Sequence, residues 1–147
     1  MGQMPGMPWH CRSFVEEVYC QGCALVLDWA GESLTPFGAE VVRDAIAMKG
    51  LPRIESDFKR SEYIRSMNQG IVFSAGRVLG AMALLPAYPR YRKLLEEAEG
   101  DLFEMIAAYV LPDGGTLEGP AYWNYTFSNA LPTLWALARF RGKPFAD

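Results

Sequence analysis

Residues 69–85 limit what this chain can fold into more than any other stretch. They are apolar on nearly every side, and Arg77 is the one charge among them. A helix that is hydrophobic all round is a buried helix, so this segment predicts a core element. Gly76 and Gly80 lie four residues apart and share a face, where they admit the close approach of another helix. Arg77 interrupts the run, and no part of the chain offers the roughly 18 uncharged apolar residues that a membrane span requires.

The remaining periodicities are helical as well. Residues 11–29 read as a helix whose face is Cys11, Val15, Val18, Gly22, Leu25 and Trp29. Thr35 is a capping residue, and Pro36 suits a first turn because its missing N–H has no helical partner there. Val42, Ala45 and Ile46 form the next stripe, and Gly50 is placed to end that helix. The two elements predict an antiparallel hairpin. Residues 51–67 are polar and mixed and read as a connector, with one short helix around Tyr63. Pro89 opens a helix with the seam Tyr91, Leu95, Ala98, Leu102, Met105 and Tyr109. Its other face carries Glu96, Glu97, Asp101 and Glu104, which read as a solvated surface. Residues 112–115 are a loop, and a last helix is expected over residues 125–141, with Pro132 as its kink or its true start.

No segment shows the alternation and hairpin punctuation of a strand. The class is all-α, a single helical domain over residues 1–147 built of hairpins. About five helices are expected, and the last lacks a pairing partner. The pattern therefore predicts an incomplete assembly whose terminal hairpins expose apolar flanks, available for self-association.

Composition removes several function classes. Hydrophobic residues make up 50% of the chain, enough for a packed core, and the formal net charge is −3. No basic footprint for nucleic acid exists. Residues 1–9 are rich in Met, Gly and Pro and lack the basic start and apolar run of a secretory signal. The single histidine, His10, sits in that Pro-rich end, which leaves little for a Ser-His-Asp arrangement. His10, Cys11, Cys20 and Cys23 suggest metal ligands by spacing. Cys20 and Cys23 instead fall within an apolar-periodic helix, where free cysteine is a small buried hydrophobe. No metal and no cofactor are expected.

The chemistry concentrates in Pro112-Asp-Gly-Gly-Thr-Leu-Glu-Gly-Pro-Ala-Tyr-Trp-Asn-Tyr125. A loop held by rigid helices and carrying carboxylates, an asparagine and aromatic rings suits carbohydrate recognition, with rings on sugar faces and polar groups on hydroxyls. The plainer reading of the same residues is structural. Tyr122 and Trp123 then plug a gap between hairpins, Asp113 is a turn residue, and Glu118 holds the loop through backbone hydrogen bonds.

That loop resembles the PDGG-x-x-EGP-x-YW-x-Y motif of heparinase II/III-like proteins. Asn68-Gln-Gly-Ile-Val-Phe-Ser-Ala-Gly-Arg-Val-Leu-Gly-Ala81 is similar to the helix start NWNxVxxxGxxxGA of that family, and Leu25-Val-Leu-Asp-Trp29 with Leu34-Thr-Pro36 to its YDWLY…LSP hairpin. The matches fall in family order and cover most of the chain after the first 20 or so residues. The resemblance implies part of an (α/α) toroid, a periplasmic or secreted setting, and β-elimination on an acidic polysaccharide rich in uronic acid. Such a reaction neutralises the uronate carboxylate, removes the C5 proton and protonates the departing glycosidic oxygen.

Carried onto this chain, the resemblance assigns carboxylate neutralisation to Asn68 and the acid–base role to Tyr125, with Tyr122 as the runner-up. Gln69, Glu118, Trp123, Asn124 and Arg77 complete the candidate substrate-binding set. A tyrosine base needs its pKa lowered from roughly 10 by a cation or hydrogen bonds, and Arg65 and Arg77 are candidate helpers. Gln69 departs from the family pattern, which has Trp or His there. Two other readings remain: a glycoside hydrolase using Asp113 and Glu118, and a non-catalytic helical module that binds carbohydrate or protein.

Overall fold

A computed structural model describes residues 13–60 and 62–143. They form α1 (Ser13–Ala30), α2 (Pro36–Ala45), α3 (Leu51–Arg60), α4 (Glu62–Arg65), α5 (Asn68–Leu84), α6 (Arg92–Tyr109) and α7 (Pro120–Phe140). No strand occurs among the described residues, so the chain is all-α. No helix among them is long and apolar enough to cross a membrane.

The apolar segment is the centre of the fold. α5 is buried without a break from Gly70 to Ala81, and α1, α3, α6 and α7 all pack on it. Gly76 and Gly80 act as expected. A Cβ at Gly76 would lie 2.9 Å from Cγ of Glu17 on α1, and one at Gly80 would lie 3.0 Å from Cδ2 of Leu51. Hydrogen in place of a methyl group is what lets these backbones approach so closely. Phe14 of α1 meets Phe73 of α5 edge to face at 5.0 Å.

Arg77 is 1% exposed, and this buried charge dictates its surroundings. Its Nε donates to Glu55 Oε1 of α3, and its Nη1 donates to Asp101 Oδ2 of α6 at 2.7 Å. The guanidinium also lies 4.2 Å from the centre of the Phe58 ring. Asp101 therefore does not belong to the solvated face expected for the acidic run, although Glu96, Glu97 and Glu104 do. Burial of Arg77 demands a carboxylate, and the seam of α6 turns Asp101 toward it.

Several boundaries differ from expectation. Thr35 caps α2, accepting from the Gly38 N–H at 3.0 Å, but Gly50 does not end the helix. The chain continues through a π-helical turn, Ile46–Gly50, directly into α3. A side chain at Gly50 would run into the sulfur of Cys20. The supposed connector is mostly α3, whose buried Leu51, Ile54 and Phe58 follow an i, i+3, i+7 stripe obscured by the surrounding charges. α4 matches the short helix expected around Tyr63. The helix after Pro89 follows its predicted seam, with Leu95, Ala98, Leu102 and Met105 buried. α7 begins at Pro120, in the first turn, and runs on through Pro132.

α1 shows the largest reversal. The stripe Val15, Val18, Leu25 and Trp29 faces outward, with Trp29 79% exposed; Cys11 lies outside the described residues. The buried face is Ser13, Glu17, Cys20 and Ala24. Small residues on that side allow α1 to come close to α5, and apolar content alone did not decide the orientation. Phe37, Val41 and Met48 are exposed as well, and α7 exposes Leu131 and Trp135.

Arg77→Met removes the buried partner of Glu55 and Asp101 and leaves them only the more exposed Lys59 and Arg65. Both carboxylates retain some solvent, so the expected loss is about 2–4 kcal/mol, read as a lower midpoint in urea unfolding followed by circular dichroism.

Candidate functional site

The motif loop is built from backbone contacts. Leu111 N donates to Gly115 O at 2.9 Å and Gly114 N to Leu111 O at 2.8 Å. Gly114 and Gly119 take positive φ, +84° and +86°, conformations costly to any residue with a Cβ. Asp113 Oδ1 accepts from Gly115 N at 2.9 Å, which makes Asp113 a turn residue. Trp123 Nε1 donates to Gly114 O at 3.1 Å, and its ring packs at a tilt against Phe127, with centroids 4.8 Å apart. The indole thus fastens the loop to α7.

Glu118 reaches across 50 residues of sequence: its Oε2 accepts from the backbone N–H of Asn68 at 2.9 Å. Met67, the residue before α5, supplies no side-chain cap. A helix start leaves four amide N–H groups unpaired and carries positive partial charge, so a carboxylate there satisfies both needs. The loop preceding α7 is thereby pinned to the first residue of α5, and Asn68 and the aromatic turn Tyr122–Tyr125 come to one region of the molecule.

The candidate residues differ in exposure. Asn68 is 3% exposed, whereas Tyr122 is 53% and Tyr125 40% exposed. Tyr122 and Tyr125 are three apart on α7 and share a face; Asn124 is exposed beside them. Gln69 is half-buried, and its Oε1 is buried without a hydrogen-bond partner. Arg65 and Arg77 do not join this group. Arg65 lies 3.7 Å from Asp101 and over Phe58, and Arg77 is taken up by Glu55 and Asp101. Both line a groove of about 520 Å³ between α3 and α6 with Lys59 and Glu97, away from the motif loop.

Among the described residues no cation acts on Tyr125. Its ring lies edge-on to Phe14 at 6.3 Å. Burial, and then the negative charge of Glu17, push its phenol above the ordinary tyrosine value. A phenol held in this way keeps its proton near neutrality and is not poised to act as a base.

Glu17 is the feature that sequence reasoning missed. It is fully buried between α1 and α5, and burial raises its carboxyl to about 8. Its Oε1 accepts from Gln21 Nε2, while Oε2 has no hydrogen-bond partner. Gln21 Nε2 also reaches Asn129 Oδ1 at 3.3 Å, and Asn129 Nδ2 donates to the Tyr125 carbonyl at 2.8 Å. The only sequence signal was an acidic pair, Glu16 and Glu17, inside an otherwise apolar helix.

Burial raises Cys20 to about 12, with the charges of Cys23, Glu17 and Glu16 adding to it, and raises Cys23 as well. Both stay thiols, a poor state for metal ligation. Among the described residues no cluster of His, Cys, Asp or Glu is arranged to hold a metal; His10 and Cys11 lie outside them. No family model, curated protein or solved structure matches the chain.

Two outcomes follow. Glu118→Ala removes the cap of α5 and is expected to cost about 1 kcal/mol, with faster hydrogen exchange at the Asn68 amide by NMR. Glu17 has a folded-state pKa raised from 4.5 to about 8, so the folded chain holds a proton that the unfolded chain releases in this window. Its contribution is complete below pH 4.5 and is lost as pH rises toward 8. Glu17→Gln removes this dependence, so its melting temperature is expected to exceed that of the parent at pH 8.5 and to match it near pH 4.5.

Proposed function

We propose that the chain is the helical part of a polysaccharide lyase of the heparinase II/III type, an incomplete (α/α) toroid acting on polymers rich in uronic acid. The observation that carries this reading is the Glu118–Asn68 hydrogen bond, which joins the two stretches most like that family in one place although 50 residues separate them. The exposed turn of Tyr122, Trp123, Asn124 and Tyr125 offers ring faces and polar groups to a sugar.

In this reading Tyr125 works as the general acid. The C5 proton leaves to a base, its electron pair forms the C4–C5 double bond, and the C4–O bond breaks. The departing oxygen takes the phenolic proton. Burial keeps the phenol in its protonated form, the state a general acid requires. Tyr122, on the same face, is the second candidate for the role. Asn68 is buried and its backbone N–H is held by Glu118, so neutralising the uronate carboxylate requires its side chain to become accessible.

The hydrolase alternative is weaker, because Asp113 and Glu118 both accept backbone N–H groups within the fold and neither is free to face a sugar as an acid pair. The exposed apolar faces of α1 and α7 favour a second reading, a non-catalytic module that covers these faces by association, including with a second copy.

The test is incubation with alginate, heparin, heparan sulfate and a neutral glycan, followed by ultraviolet absorbance of the unsaturated uronate. Turnover on an acidic polymer is expected, falling by about 100-fold or more in Tyr125→Phe. A folded chain that is silent on all four, yet retained on an immobilised acidic polymer or growing in size with concentration, overturns catalysis and leaves the binding module.

A further inference from the structure

We propose that Glu17 is a positioning residue for Tyr125, acting through Gln21 and Asn129 to fix the turn of α7 that bears the phenol. The catalytic meaning of this assignment rests on the lyase reading; the coupling between the two side chains does not.

The connection is continuous. Gln21 stands one turn after Glu17 on α1 and donates to its carboxyl, and the same amide nitrogen reaches Asn129 on α7. Asn129 stands one turn after Tyr125 and donates to its carbonyl. A solvent-exposed turn is thus tied through two polar side chains, Asn129 and Gln21, to a carboxyl that has no access to water. Structural need does not account for that carboxyl. Burying it carries a desolvation cost that an apolar side chain would avoid, and among the described residues no cation is paired with it. Gly76 gives Glu17 its space, since any side chain there would displace it.

The groups around Glu17 are few. On α1 they are Glu16 and Cys20, and on α7 Tyr125. From α5 the charge nearest in sequence to Gly76, Arg77, is committed to Glu55 and Asp101. On α3, Asp57 is held by Ser13 and Arg53. The charge state of Glu17 is therefore felt by Tyr125, and no cation among the described residues is placed to cancel it. A neutral Glu17 makes the phenol a better proton donor than an ionised one does.

The experiment follows the Tyr125 ring by NMR in tyrosine-labelled protein, with the resonance assigned by its loss in Tyr125→Phe. In Glu17→Gln the titration midpoint of Tyr125 is expected to fall by roughly half a pH unit or more, because the negative charge is gone. Asn129→Ala keeps the charge and cuts the tether, so the Tyr125 resonance is expected to move while its midpoint changes less. An unchanged midpoint in folded Glu17→Gln overturns the proposal. Should that variant not fold, a Tyr125 resonance unmoved in both Gln21→Ala and Asn129→Ala overturns it equally. A lowered midpoint in a chain that cleaves no polymer keeps the coupling and removes the lyase reading. Cleavage with an unchanged midpoint does the reverse.

Discussion

The fold depends on a guanidinium that has no water. Arg77 lies in the middle of α5, the helix that every long neighbour packs against, and it is almost wholly buried. A buried charge must be paired or it destabilises the folded state severely. The partners come from different helices, Glu55 on α3 and Asp101 on α6, and Phe58 closes the remaining side. Meeting that demand sets the rotation of α5 and the positions of α3 and α6 together. The absence of a side chain at Gly76 then decides how closely α1 can lie.

A second long-range contact organises the motif loop. α5 begins at a residue whose neighbour gives it no cap, and the missing acceptor is Glu118. The same carboxylate that resembles a family motif is thus first of all a structural group, as are Asp113 and Trp123. What these contacts leave exposed at the start of α7 are Tyr122, Asn124 and Tyr125. The internal surface of α7 is made of Thr126, Ala130, Thr133 and Leu137, and the two threonine hydroxyls donate to carbonyls one turn back and so bury no unpaired polar group.

α1 is inverted relative to the usual amphipathic helix. Its valines and Trp29 face outward, and a carboxylic acid faces inward. Both facts have the same origin. Close approach to α5 selects the side with Ser13, Cys20 and Ala24, and Glu17 is carried in with it opposite Gly76. The polar chain from Glu17 to Tyr125 and the apolar outer surface are two sides of one rotation, and they connect the core to the two surfaces with functional interest.

Helical class, the buried character of α5, the cap at Thr35, the seam of α6 and the loop at residues 112–115 were legible in the sequence. Each rests on local spacing or local backbone chemistry, which a linear pattern contains. The continuation of α2 into α3 was hidden because charged residues lie between Leu51, Ile54 and Phe58, and the outward turn of α1 because apolar periodicity does not say which side meets a partner. Candidate residues were visible as a motif, but their roles were not. Glu118 as the cap of Asn68, Arg77 as the centre of an ion-pair network and Glu17 as the group behind Tyr125 arise from contacts between residues far apart in the chain. Sequence by itself determined which elements form. Only the tertiary structure decided which faces meet, because burying a charge, capping a helix and bringing two backbones together are satisfied between elements and not within them.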